Sequence, residues 1–171
     1  RAGSSPGRGH SGKNPGKHGV FSFAMRQPNT YERRIISPES IKSRTIWRIL
    51  CEHGRKIGVI NMPMTTPKEI KGFMIPGFLH RDEGVPHPLE VRKKLRYKLG
   101  IERVAGDLET DVLDNVKNDP DAFFKRVNEI TDEMAEVGLF LMQEEEWDLF
   151  AMVFMGTDRL QHFFWKYIDE K

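Results

Sequence analysis

The most informative hydrophobic pattern lies near the C-terminus, where the residues from Leu149 to Met155 form an unbroken apolar run. A strand that is covered on both faces does not need to alternate apolar and polar residues, so this run predicts a buried β-strand. A shorter apolar run from Ile57 to Met62, stopped by Pro63, predicts a second buried strand. The residues from Arg159 to Tyr167 predict a short aromatic helix after the final strand.

Helical periodicity marks three further segments. Residues 37–54 predict a helix with one apolar face, and residues 88–99 predict a short helix whose Lys and Arg side chains form a solvated face rather than a phosphate site. Residues 119–144 predict the longest helix, with Asp119 as its N-cap. The alternation of helix and strand predicts an α/β fold, with a mostly parallel sheet flanked by helices.

Two segments lack a clear helical or strand period. Residues 63–88 hold five of the ten prolines and predict a long surface loop, of a kind that is often functional. The first nineteen residues are rich in Gly, Ser, Pro and basic residues, which is typical of a flexible tail. We expect residues 1–10 to be irregular and weakly packed, because they carry almost no apolar surface to offset the entropy of ordering them.

Composition narrows the class of protein without identifying it. The 171 residues, 38% of them hydrophobic and 30% charged, are ordinary for one globular domain. A formal net charge of +2 gives no signal for nucleic-acid binding, and no apolar run is long enough to cross a membrane. The single cysteine, Cys51, excludes an internal disulfide and fits a reducing compartment, and we interpret it as a core residue rather than a nucleophile. We expect a cytoplasmic protein, with the reservation that a signal could precede residue 1.

Two potential metal ligands follow the C-terminal apolar run. The run stops at Gly156 and Thr157, and Asp158 and His162 follow, where an α/β enzyme places its chemistry at the carboxyl end of a strand. Their spacing of four residues is about one helical turn, so the carboxylate and the imidazole can share one face and one metal ion. The alternative is structural, with Asp158 capping the helix and His162 partly buried.

The chain resembles the type I phosphodiesterase/nucleotide pyrophosphatase family of the alkaline phosphatase superfamily. The stretch Phe154–Tyr167 carries this resemblance, and it looks similar to the archaeal and bacterial branch of uncharacterised members. Three more segments match in order: Ser11–Phe21, Ile57–Met64 and Gly72–Phe78. The resemblance therefore covers residues 11–171.

This resemblance implies an alkaline-phosphatase-like fold and a pair of divalent metals, usually Zn²⁺ with Mn²⁺ as an alternative, that hold a phosphate between them. A Thr or Ser nucleophile would form a covalent phospho-enzyme that a metal-bound water hydrolyses. Asp158 and His162 match the family's Asp-x-x-x-His motif, whose two ligands bind one metal. The implied substrate is a small-molecule phosphate ester or nucleotide, and the implied reaction is hydrolysis of a phosphodiester or pyrophosphate bond.

Other parts of the family pattern are missing from this sequence. The nucleophile would fall near Ala2, which has no hydroxyl, and we assign neither Ser4 nor Ser5 to that role. The later Asp-His metal motif would fall beyond Lys171. We therefore expect an internal fragment of a longer enzyme, with a tail over residues 1–10 and a partial catalytic domain over residues 11–171. The competing interpretation is a non-catalytic α/β module, and neither substrate nor oligomeric state follows from the sequence.

The remaining candidates are weaker. Gly7–Lys13 satisfies all but the last position of a phosphate-binding P-loop, but Asn14 replaces the metal-binding hydroxyl and no apolar strand precedes it. We interpret His18 as a structural residue of the loop, and Asn61 and Asn14 as supporting polar contacts. The histidines expected at the surface are His10, His53, His80 and His87.

Overall fold

A three-stranded parallel sheet organises this protein. The computed structural model describes residues 8–168, without the side chains of residues 8, 9, 69 and 166–168. The helices are α1 (Arg8–Ser11), α2 (Pro15–His18), α3 (Ile46–Glu52), α4 (Leu89–Leu99), α5 (Thr110–Asn115), α6 (Pro120–Glu144) and α7 (Gly156–Ile168), and the strands are β1 (Ala24–Arg26), β2 (Arg33–Ile35), β3 (Ile57–Ile60), β4 (Gly72–Ile75) and β5 (Leu149–Met152).

The strand order of the main sheet is β4-β3-β5, and both pairings are parallel. The three strands run in step, because Ile57 pairs with Gly72 on one side and with Leu149 on the other. Their carboxyl ends therefore lie along one edge of the sheet. Strands β1 and β2 form a separate antiparallel hairpin.

Alternating side chains cover the two faces of this sheet differently. Ile57, Val59 and Met74 pack with Trp47 of α3 on one face. The other face packs against α4, α6 and α7 and forms the larger core. The buried residues of that core are Ile60, Phe73, Ile75, Val91, Leu95, Val104, Leu108, Val116, Phe123, Val127, Ile130, Met134, Val137 and Leu141. The described residues thus form a helix–sheet–helix arrangement, and the predicted α/β fold with a parallel sheet is confirmed.

The predicted helices differ in how closely they match the structure. Helix α6 begins as predicted, because the Asp119 carboxylate accepts a hydrogen bond from the Ala122 amide at 2.9 Å, and it runs to Glu144. Helix α4 confirms the prediction over residues 88–99. The helix predicted over residues 37–54 is instead divided into a 3₁₀ turn and α3, which starts only after the side chain of Thr45 caps it.

The final strand is shorter and less buried than predicted. Strand β5 ends at Met152, three residues before the end of the apolar run, and all four of its residues are half-buried. It lies at one end of the three-strand order, so only β3 pairs with it among the described residues. The prediction from the continuous apolar run therefore overestimated both the length of this strand and its burial.

The prediction of a long surface loop over residues 63–88 is wrong in its centre. Phe73, Met74 and Ile75 belong to β4 and are buried. This apolar stretch is too short to stand out among the surrounding prolines and glycines. Pairing with β3 gives its backbone the hydrogen bonds that a buried segment requires.

The prediction of an irregular N-terminal stretch over residues 1–10 is wrong for residues 8–10, which are helical. His10 is only 3% exposed and accepts a hydrogen bond from the Trp47 indole at 3.3 Å. Residues 1–7, including Ala2, Ser4 and Ser5, lie outside the described residues. None of the described helices is both long and apolar enough to cross a membrane.

Candidate functional site

Asn61 and Asp158 follow strands that end at the same carboxyl edge of the sheet. Strand β3 leads into Asn61, and β5 leads through Val153 into α7, which carries Asp158 in its first turn. Because β3 and β5 are parallel and in register, both chain segments leave the sheet at the same edge. The predicted position of Asp158 and His162, just past the end of the last strand, agrees with this arrangement.

Asp158 and His162 lie on one face of α7. The Asp158 Oδ1 atom is 3.6 Å from the His162 Nε2 atom, and the side chains are 50% and 67% exposed, respectively. Both therefore reach solvent and each other, as two ligands of a single ion must. Among the side chains that the structure describes, no group of three or more His, Cys, Asp or Glu suited to a metal occurs. A metal-ligand role for this pair stays a prediction.

Asn61 connects the central strand to two neighbouring segments. It is 3% exposed, and its amide Nδ2 donates to the Gly106 carbonyl at 2.7 Å and to the Val153 carbonyl at 3.0 Å. A Cβ atom on Gly106 would lie 2.4 Å from the Asn61 Oδ1 atom, so only glycine allows this close approach. The sequence suggested a supporting contact for Asn61, and the structure gives its partners.

The segment of residues 104–108, here called the bridging segment, is held from four sides. The Val104 amide donates to the Gly84 carbonyl at 2.9 Å, and the Ala105 amide donates to the Glu133 carboxylate of α6 at 3.0 Å. Gly106 accepts from Asn61, and Asp107 pairs with Arg159 of α7. The bridging segment therefore joins β3, α6 and α7 beside the candidate ligands.

Arg159 and Asp107 form the most buried ion pair of this region. The Arg159 Nε donates to Asp107 Oδ1 at 2.6 Å and its terminal NH2 group donates to Asp107 Oδ2, with side chains only 20% and 12% exposed. The third nitrogen of Arg159 lies 3.7 Å from Asp158 Oδ2. The hydrogen bonds to Asp107 hold the pKa of Arg159 above its ordinary value. Burial, followed by the charge of Asp107, raises the pKa of Glu83.

The N-terminal helices α1 and α2 carry two buried histidines. His18 is 0% exposed and its Nδ1 atom accepts from the Val20 amide at 3.2 Å, which agrees with the structural role expected for it. The surface position expected for His10 is wrong, because it packs under Trp47. Burial lowers the pKa of both imidazoles. The burial of His10 could not be predicted from the sequence, because its partner Trp47 lies 37 residues later, in α3.

The other candidates play smaller parts. His53 is exposed as expected, whereas His80 and His87 are half-buried. The His87 Nε2 atom is buried without a hydrogen-bond partner among the described residues. Cys51 packs partly buried against the α3 side of the sheet, and its sulfur accepts from the Lys71 amide at 2.9 Å.

Comparison with known proteins gives one match. The sequence model of the family described as Type I phosphodiesterase / nucleotide pyrophosphatase matches residues 10–171. No curated protein and no solved structure matches the chain. The match spans the bridging segment, Asp158 and His162 together.

Proposed function

This chain belongs to the type I phosphodiesterase/nucleotide pyrophosphatase family, whose members hydrolyse phosphodiester and pyrophosphate bonds, and we propose that its Asp158 and His162 bind one divalent cation for that hydrolysis. Hydrolases of this family typically depend on metal ions. A bound cation would supply positive charge that stabilises the phosphate oxygens during the reaction. The substrate class that follows is a small phosphate ester or nucleotide.

The observation that carries the proposal is the pairing of one oxygen and one nitrogen donor, 3.6 Å apart, at the carboxyl edge of the sheet. A carboxylate oxygen and an imidazole nitrogen form a donor set that suits Zn²⁺, and Mn²⁺ as a second choice. Both side chains keep access to solvent, so an ion can reach them. An exposed pair of this kind adds little to stability, so stability alone gives no reason for its position.

Two side chains do not complete a catalytic metal site, which usually has three protein ligands. We infer that the further ligands and the nucleophile come from residues outside those described, and that the complete site holds two Zn²⁺ ions. Within the described chain, Asn61 and the bridging segment fix the edge of the sheet from which α7 starts. On this proposal, the described residues contribute one pair of ligands and its support.

The proposal is tested by titrating the purified chain with Zn²⁺ and with Mn²⁺ in a calorimeter. Asp158→Asn removes the negative charge of the carboxylate with little change in shape, and His162→Gln removes the imidazole nitrogen. Each should weaken cation binding at least about tenfold. Asp111→Asn is the matched control, because Asp111 is an exposed carboxylate in the first turn of α5. Equal binding by the wild type and both ligand variants would contradict the proposal.

A further inference from the structure

We propose that Asp107 is a positioning residue for Asp158, acting through Arg159 by engaging a guanidinium group that would otherwise close on Asp158, now 3.7 Å away. This inference rests on the proposed cation site. It assigns a role to two residues outside the Asp-x-x-x-His pair, one of them in the bridging segment far away in the sequence.

The geometry places Arg159 between two carboxylates. Consecutive residues of a helix point about 100° apart, so Arg159 turns towards the bridging segment while Asp158 and His162 turn towards solvent. Two nitrogens of the guanidinium face Asp107, and the third lies 3.7 Å from Asp158 Oδ2. Asp158 therefore lies at the end of a row of alternating charges that runs from Asp107 through Arg159.

A guanidinium that is only 20% exposed needs a carboxylate partner, because burying an unpaired charge is costly. Two parallel hydrogen bonds to Asp107 satisfy it in the geometry that arginine prefers. Without the negative charge of Asp107, Asp158 is the nearest remaining carboxylate that the described contacts give to Arg159. A tight Arg159–Asp158 pair would occupy the oxygen that a cation needs and would place an uncompensated positive charge beside it.

Hydrogen bonds hold both the side chain of Asp107 and the backbone before it in place. The Leu108 amide donates to Asp107 Oδ1 at 2.8 Å, which fixes the side chain against its own backbone. The hydrogen bonds of Asn61 to Gly106 and of Ala105 to Glu133 fix the backbone on the preceding side. Asp107 therefore holds Arg159 from a rigid support rather than from a free loop.

The test compares cation affinities in a double-mutant cycle, using Zn²⁺ and Mn²⁺ alone as probes. Asp107→Asn keeps the shape but removes the charge, and we expect it to weaken binding by about ten- to a hundredfold, the range typical of residues that orient metal ligands. Adding Arg159→Gln to that variant removes the positive charge of the guanidinium beside Asp158. The double variant should therefore regain most of the affinity for the metal ion. A merely structural role for Asp107 predicts no such rescue.

Glu109→Gln is the matched control, because Glu109, the residue before α5, forms a similar arginine–carboxylate fork with Arg126 of α6. This variant should leave cation affinity unchanged. Thermal unfolding followed by circular dichroism establishes that each variant is folded. If Asp107→Asn does not fold, Arg159→Lys takes its place, since lysine keeps the charge but cannot form two parallel hydrogen bonds to Asp107. The Arg159→Lys variant should also bind the metal ion more weakly than the wild type.

The outcomes separate this inference from the proposed function. A wild-type chain that binds neither cation overturns both. A wild type that binds, with Asp107→Asn binding equally well, overturns this inference alone. The same holds if the double variant binds as weakly as Asp107→Asn, because the freed charge of Arg159 would then not be the cause.

Discussion

Asn61 shows how much a single polar residue can organise at the end of a strand. It adopts a left-handed backbone conformation with φ of 55°, which asparagine tolerates better than most residues. This turn directs its amide group at two carbonyls from segments that follow much later in the chain. A buried amide with these partners satisfies groups that would otherwise be left unpaired at the sheet edge.

The buried histidines give a prediction at the same scale. Burial lowers the pKa of His10 and His18 from 6.5, so the folded chain binds protons at these imidazoles less readily than the unfolded chain does. At pH values well above 6.5 both imidazoles are neutral in the folded and the unfolded chain, so these histidines do not reduce the free energy of unfolding. As the pH falls below 6.5, the unfolded chain binds protons that the folded chain does not, so stability is lost.

His18→Asn keeps an acceptor for the Val20 amide but cannot bind a proton. Between about pH 7 and about pH 5, the free energy of unfolding should therefore fall less steeply than in the wild type, by up to about 1.4 kcal/mol per pH unit. Urea unfolding at a series of pH values measures this slope. His53→Asn is the same change at an exposed position and serves as the control. A His18→Asn slope as steep as that of the wild type would refute the account.

At the scale of elements, the order of strand β5 and helix α7 decides where the candidate ligands lie. The strand ends at Met152 and the helix begins at Gly156, so only three residues separate the sheet edge from the turn that carries Asp158. A Cβ atom on Gly156 would lie 3.0 Å from the Thr131 hydroxyl of α6. Close packing of α7 on α6 thus fixes the direction in which the helix leaves the sheet.

Packing inside the sheet layer gives a prediction for β3. Gly58 faces Phe73 of β4, and a Cβ atom there would lie 2.3 Å from the ring. Gly58→Ala should therefore destabilise the protein by about 1–3 kcal/mol, although alanine is ordinarily the better residue in a strand. Denaturant unfolding measures the loss.

Combining Gly58→Ala with Phe73→Leu provides the control, because the smaller side chain makes room for the new methyl group. The double variant should lose less stability than the sum of the two single variants. Additive losses would show that the ring contact is not the cause.

At the scale of the whole molecule, the described residues include the two proposed metal ligands and the segments that support them, without a third His, Cys, Asp or Glu side chain grouped with them. Two-metal phosphoryl transfer needs a second metal site and a nucleophile in addition to Asp158 and His162. Since we propose that both come from residues outside those described, we expect the 171-residue chain with excess Zn²⁺ or Mn²⁺ to show no turnover of bis(4-nitrophenyl) phosphate above background. Release of nitrophenolate, measured by absorbance with and without a chelator, checks this. Turnover that disappears with the chelator would contradict the prediction.

Much of the local structure could be predicted from the sequence because it depends on short-range periodicity. The apolar stripe and N-cap of α6 lie within consecutive turns of one helix, so the sequence alone located that helix. The spacing of Asp158 and His162 likewise predicted that both lie on one helical face. The family resemblance of residues 11–171 could be identified from short contiguous motifs. The order of helices and strands was enough to predict the α/β class.

The tertiary structure alone decided which distant segments support the site. Asn61 reaches Gly106 across 45 residues, and Asp107 reaches Arg159 across 52, so no local pattern connects them. The burial of His10 depends on Trp47, 37 residues later, and β4 forms because β3 lies beside it. Sequence patterns report what neighbouring residues can do together, whereas these contacts exist only after the sheet has brought its carboxyl ends to one edge.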